Sequence, residues 1–303
     1  MHASNYDDST PILTVDTTLA VFFQSSALLP MGTSTVDKIS TFIRAAVRRL
    51  SVETRYRYRR HIAGVDLDGP PTYIVGCGHS GTSLLLAILG AHSRLHAVPF
   101  ESYLAFKSAA EQDKLFQKFE RETLATGKRR WVEKTPKHVR QIEELFALSP
   151  DARILVMLRD GRDVACSIRA RTDDFEQGVE RWIEDNQKAE EHLSHPQVTQ
   201  VRYEDIVVDF DGAVADALSA IGEAFEPRLR RYHETPKHYY DQKVKRPDTA
   251  KDHEQLRNWQ INQPVFDGRG RWEEEMSEQE KSLFKDRAGK MLIRYEYADD
   301  LDW

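Results

Sequence analysis

From about residue 72 onward, short apolar runs alternate with stretches in which apolar residues recur every three or four positions. Thr72 to Cys77 is a β-rich run, and Ser80 to Ala91 has helical spacing, with Leu84, Leu85, Ile88 and Leu89 turned inward. A long, charged helical region follows from Tyr103 to about Thr126. Next come a strand at Trp131-Val132 and a helix from Lys137 to Leu148. Arg153 to Leu158 is almost continuously apolar, as a central parallel strand covered on both faces should be. Helices over Asp163 to Ala170 and Phe175 to about Leu193, a strand-like Val198 to Tyr203, and a helix marked by Val214, Leu218 and Ile221 complete the pattern. Strands alternating with helices predict an α/β fold, a central parallel sheet between two helical layers.

Residues 1–70 have a different texture. A polar start, a Pro30/Gly32 break, the basic run Arg55 to Arg60 and the Gly69-Pro70-Pro71 hinge mark an N-terminal extension before a domain at 71–303. The extension is partly helical: Ile39, Phe42, Ile43, Val47 and Leu50 share a stripe, and Lys38, Arg44, Arg48 and Arg49 lie on its far side. Packing on the domain is favoured over docking on an anionic membrane. Leu19 to Leu29 falls far short of the ~20 residues a membrane span needs, and it follows acidic residues, unlike a signal peptide.

Composition narrows the class. At 303 residues, 40% hydrophobic and 30% charged, the chain reads as a soluble globular protein. A net charge of −6 requires any polyanion site to be a local basic patch, and no nucleic-acid partner is expected. Only two cysteines occur, Cys77 and Cys166, both inside motif segments, so a disulfide framework is not expected and a reducing cytoplasm is the natural location.

Three segments carry chemistry. Gly76 to Ser83 reads Gly-Cys-Gly-His-Ser-Gly-Thr-Ser between a strand and a helix. Glycines at 76, 78 and 81 let the backbone approach an anion, and the helix start directs free N–H groups at it. Thr82 stands where an ATPase or GTPase has its phosphate-binding lysine. Arg159-Asp160-Gly161-Arg162-Asp163-Val164-Ala165-Cys166-Ser167 follows the apolar strand, where open α/β sheets bind ligands. Arg159 offers a phosphate fork and Ser167 a hydroxyl, whereas Asp163 reads as a solvated helix-start residue. Lys134, in Trp131-Val132-Glu133-Lys134-Thr135-Pro136-Lys137, ends a third strand.

The loop at 76–83, the Lys134-Thr135-Pro136 segment, the Arg159 to Ser167 run and Val201-Arg202-Tyr203-Glu204-Asp205 together resemble the PAPS-dependent sulfotransferase superfamily, most closely the bacterial branch akin to tyrosylprotein sulfotransferases. The likeness covers roughly 72–297. It implies a P-loop-like three-layer α/β/α domain that uses 3′-phosphoadenosine 5′-phosphosulfate (PAPS) and releases the bisphosphate PAP. In that resemblance Gly78, His79, Ser80, Gly81, Thr82 and Ser83 bind the 5′-phosphosulfate. Arg159 and Ser167 bind the 3′-phosphate, Tyr203 contacts the nucleotide, and Lys134 stabilises charge on the bridging oxygen. Arg271, with Gln263 and Arg269, belongs to a closing C-terminal segment. Relatives usually carry Arg or Lys at position 79. A polyanion beside His79 is expected to raise its pKa above about 6.5 and to make donor affinity best when it is protonated. A neutral hydrogen-bonding role and a catalytic one remain open.

Transfer of this kind rests on positioning and electrostatics, so no metal is required. Glu101 is the candidate base, with His92 and His96 as lesser ones. Two other readings stay in view, a P-loop nucleotide kinase or hydrolase and a non-catalytic nucleotide-binding protein. The acceptor is a small molecule, lipid, saccharide or peptide. The segments 103–126 and 227–262 are expected to form its pocket and lid, and the basic clusters Lys128-Arg129-Arg130 and Lys243 to Arg246 are candidates for meeting an acidic acceptor.

Overall fold

The computed structural model describes residues 67–303 except 238, 240–243 and 250. The expected extension, with its stripe at 36–50, falls outside the described residues up to position 66. In chain order the elements are β1 (Thr72–Gly76), α1 (Thr82–Gly90), β2 (Leu95–Ala97), α2 (Ala109–Ala125), β3 (Arg130–Lys134), α3 (Ile142–Leu148), β4 (Arg153–Leu158), α4 (Gly161–Thr172), α5 (Phe175–Glu190) and β5 (Val198–Arg202). Then follow α6 (Tyr203–Val208), α7 (Phe210–Ala220), α8 (His253–Gln260), α9 (Trp272–Glu275) and α10 (Glu278–Arg294). The five strands form one sheet in the order β2-β3-β1-β4-β5, and every pairing is parallel.

The two-residue period of the strands sorts their side chains onto two faces. Ile74, Val132, Leu155, Met157 and Val201 pack with Leu85, Leu86, Ile88 and Leu89 of α1 and with Val214 and Leu218 of α7. Tyr73, Val75, Trp131, Ile154 and Val156 turn the other way, against Phe116 and Phe119 of α2 and Leu145 of α3. A third cluster unites α4, α5 and α10 around Trp182, which stacks near Phe284 and Tyr295. Each such fully buried large side chain contributes ~1.5–3 kcal/mol. The expected three-layer α/β/α sandwich is therefore the observed fold.

Several boundaries move for local reasons. The helix expected from Tyr103 starts only at Ala109, because Tyr103 is left-handed (φ 51) and Ser108 with Glu111 forms a capping box. The helix expected over 137–148 is split into a 3-10 stretch, Pro136–Gln141, and α3. α4 starts two residues early because the Asp160 carboxylate caps the Arg162 N–H. The pattern predicts neither β2, whose three residues are too few to show alternation, nor α10, whose buried face is confined to Phe284, Ala288, Gly289, Met291 and Leu292.

Candidate active site

Sheet order places the chemistry. β3, β1 and β4 are neighbours, so Lys134, the loop after Gly76 and Arg159 emerge side by side from their carboxyl ends. Strand order also reverses about β1, with β2 and β3 on one side and β4 and β5 on the other, the position at which open α/β sheets form a ligand crevice.

The loop holds an unusual backbone. Gly81, the residue before α1, has φ 90, and a methyl group there would stand 2.9 Å from the Tyr203 ring. Glycine is needed on both counts. His79 is left-handed too (φ 72), which is uncommon for a residue with a side chain. Its Nδ1 lies 2.8 Å from Ser167 Oγ on α4, so loop and helix are pinned together.

Arg159 sits at the end of β4 with its guanidinium 4.3 Å from the Tyr203 ring centroid. It donates to the carbonyls of His79 and Gly268, and Trp182 Nε1 donates to the Arg159 carbonyl at 3.0 Å. Tyr203 donates to Phe266 O at 3.2 Å, and burial raises its phenol pKa. Asp163 departs from its expected solvated role. It is fully buried, accepts from the amides of Gly270 (3.1 Å) and Trp272 (3.2 Å), and lies 3.6 Å from Arg159. Burial raises its pKa, although Arg159 opposes this. The closing segment is thus tied to the Arg159 helix. Arg162 is structural, forked onto Asp160 and stacked under Trp272 and Trp303.

A cleft of about 140 Å³ lies between the loop and this segment, and His79, Gly81, Thr82, Ser83, Arg159, Ser167, Tyr203 and Arg271 line it. Leu84, expected to turn inward, packs partly buried against the core and reaches the cleft as well. Gly78 and Ser80 lie beneath the surface of the loop, Ser80 fully buried. Arg271 is paired with Glu275 at 2.7 Å. Gln263 and Arg269 bond within their own segment, to Trp259 O and Asp267.

Beside the cleft, Lys134 is fully buried and donates to Glu101 Oε1 at 2.5 Å. Arg257 of α8, which lines the cleft, donates to the same oxygen at 2.6 Å, and Tyr103 donates to Oε2 at 3.1 Å. Burial alone would raise the Glu101 pKa, but Lys134 and Arg257 overrule it and hold the carboxyl at about 2. The strand end behind them is braced by Glu133, which accepts from Ser102 N and Oγ and from Thr135 Oγ1.

A bound polyanion is expected to raise the pKa of His79. The protein's own environment works in the opposite direction: burial, then His253, Arg171, Arg257 and Arg181 hold it well below its ordinary value. His253 of α8, 5.2 Å from His79 between ring centroids, is pushed down to about 3 by burial and then Arg257. Arg171, Arg181, His253 and Arg257 escaped the sequence reading. Arg171 follows Ser167 by four residues and so shares its helix face, which was a usable signal; for the others there was none.

Other sequence candidates lie elsewhere. His92 donates to Ala224 O at 3.0 Å and accepts from Arg94 N–H, a structural role. His96 is on edge strand β2, near Thr126. Lys128 is spent on the carbonyls of Gly90 and Leu95 and Arg130 is buried beside Glu223, so these two members of the basic cluster brace the fold. Lys243 lies outside the described residues. Cys77 and Cys166 are free and buried, and burial pushes Cys166 up to about 12.

A glycine-rich, lysine-free loop at the switch point of a parallel sheet, with arginine and lysine at the flanking strand ends, makes this a P-loop-like α/β domain. The Sulfotransferase family model matches residues 99–227, which include Glu101, Lys134, Arg159, Ser167 and Tyr203. The match excludes the loop and the closing segment. Among solved structures, the fold is similar to a sulfotransferase domain from the curacin biosynthetic pathway, with TM-score 0.52 and 17% identity over 74% of this chain and 98% of that one. It is also similar to the sulfotransferase domain of the Synechococcus PCC 7002 olefin synthase, with TM-score 0.50 and 15% identity over 73% and 94%. No curated protein matches the chain in sequence.

Proposed function

We propose that the chain transfers the sulfuryl group of PAPS to a hydroxyl or amine of its acceptor and releases PAP. The observation that carries this is the convergence of Lys134, the 76–83 loop and Arg159 at three adjacent strand ends, with Tyr203 against the arginine and Ser167 hydrogen-bonded to His79 of the loop. The residues fit such a ligand. Ser80 Oγ, His79 Nε2 and Arg159 Nε are buried without a hydrogen-bond partner among the described residues, so polar capacity is concentrated where an anion would sit. In this reading Gly78 to Ser83 hold the 5′-phosphosulfate, and Arg159 and Ser167 hold the 3′-phosphate. Tyr203 braces the Arg159 fork, and Arg271 turns from Glu275 toward the nucleotide. His79 acts as a neutral hydrogen-bonding group that positions Ser167.

The donor supplies an activated sulfur: the acceptor atom bonds to it as the bond to the bridging oxygen breaks, with that electron pair left on the 5′-phosphate. Lys134 offsets the charge gathering there, and the acceptor proton passes to Glu101. At a pKa of about 2, Glu101 is a poor base while both cations hold it. As Lys134 turns toward the phosphate it releases Glu101, and the carboxylate gains proton affinity when transfer needs it. Base and charge stabiliser are therefore coupled through one ion pair.

The test is thermal-shift titration with 3′,5′-adenosine bisphosphate beside ADP and ATP, with and without magnesium. At ~100 times its dissociation constant the bisphosphate should add about 2.7 kcal/mol of stability, independently of magnesium. Stabilisation by ATP with magnesium alone would refute the reading.

A further inference from the structure

The loop carries little charge of its own. Between Gly76 and Ser83 the ionisable side chains are Cys77 and His79; the thiol is buried and held neutral, and the imidazole is held in its neutral form. Thr82 occupies the position of a phosphate-binding lysine. Backbone amides supply partial charges, but an anion that gathers charge during reaction is best met by a full cation in a water-poor site.

One cation lies directly on the loop. The Arg181 guanidinium, projecting from α5, covers Gly78 so closely that a methyl group there would stand 2.7 Å from Nη2 and 3.1 Å from Cζ. Glycine at 78 thus admits the arginine as well as an anion. Arg181 is oriented from behind. Its Nε lies 3.4 Å from Asp185, which is almost fully buried and also accepts from Arg140 Nε at 2.5 Å. That bond uses the inner edge of the guanidinium and leaves the Nη groups turned to the loop. Arg171 and Arg257 stand in the same field, close enough to Arg181 for the three to depress the pKa of His79 together.

We propose that Arg181 supplies, from α5, the positive charge that the loop lacks, and that it binds the 5′-phosphosulfate end of the donor. This rests on the sulfotransferase reading of the cleft. The arginine is then specific for one end of the ligand, since the 3′-phosphate falls to Arg159 on the next strand end. Its fork can take two oxygens of a phosphate or sulfate group.

Two probes separate the ends of the ligand: 3′,5′-adenosine bisphosphate, which has a 5′-phosphate, and 3′-AMP, which does not. Binding of each to the full chain is measured by calorimetry for wild type, Arg181→Gln, Arg181→Lys and Arg159→Gln. Arg181→Gln should weaken the bisphosphate by ~10-fold or more while 3′-AMP stays within about 2-fold, as loss of a charged hydrogen bond to one group requires. Arg181→Lys, which keeps charge without the fork, should fall between. Arg159→Gln should weaken both probes. Asp185 retains Arg140 in either Arg181 variant, so the buried carboxylate keeps its charge partner. Equal losses for both probes, or none for the bisphosphate, would overturn the assignment and leave the sulfotransferase reading standing. Wild-type protein that binds neither probe would overturn both.

Discussion

At the scale of single residues, the site is a crowd of cations around two neutral imidazoles and one carboxylate. His79 and His253 face Arg171, Arg181 and Arg257, with Lys134 and Glu101 just beyond. Both folded-state histidine pKa values lie below that of an unfolded histidine, about 6.5. Below that pH the unfolded chain binds protons that the folded one refuses, so stability is held above about pH 7 and falls as pH drops. Each fully depressed histidine costs ~1.4 kcal/mol per pH unit below 6.5. His253→Gln should reduce the stability difference between pH 7.5 and 5.5 in urea unfolding; an unchanged difference would show that His253 titrates normally. Glu101 has the opposite sign: its low pKa adds stability above the ordinary glutamate value, lost only as pH falls through it toward about 2. In Lys134→Met the carboxyl keeps one cation, Arg257, and the Tyr103 hydrogen bond, and should titrate nearer the usual ~4.3, read by carbon-detected NMR with Glu101→Gln as the assignment control. No upward movement would break the proposed coupling of base and lysine.

Elements bring these residues together across long stretches of chain. α8 delivers Arg257 to a glutamate 156 residues earlier, and α5 lays Arg181 over the loop. The closing segment is held by Asp163, whose carboxylate takes two of its amides. Asp163→Asn keeps the shape but can accept only through one oxygen, and should destabilise the segment by about 1–3 kcal/mol. Hydrogen exchange at Gly270 and Trp272 should then accelerate by ~10-fold or more, with the β1 and β4 amides unaffected. Equal rates at 270 and 272 in variant and wild type would mean that the segment is held by other contacts. The region 227–262 was expected to cover the site, and α8 lies within it, but no pattern in the sequence singled out Arg257. Its spacing from His253, Gln260 and Ile261 describes a helix face, and what that face meets depends on the fold.

Across the whole molecule, the contrast between what was readable and what was not follows the range of the interactions. Leu67 already packs into the core and the Asp68 N–H bonds Arg129 O, so the folded unit includes residues ahead of the Gly69-Pro70-Pro71 hinge. Among the described residues no helix is long and apolar enough to cross a membrane. The sequence by itself determined the alternation of strands and helices, the parallel sheet, and the loop, lysine and arginine at the strand ends. These are local signals: periodicity sets the element, and a motif next to a strand end inherits its position. Only the tertiary structure decided that Glu101 is locked between two cations, that His79 is neutral, that Asp163 is a buried clamp, and that Arg181 lies on the loop. Each depends on burial and on charges from distant segments, and Coulomb energies are set by distance in space and local dielectric, which separation along the chain does not encode.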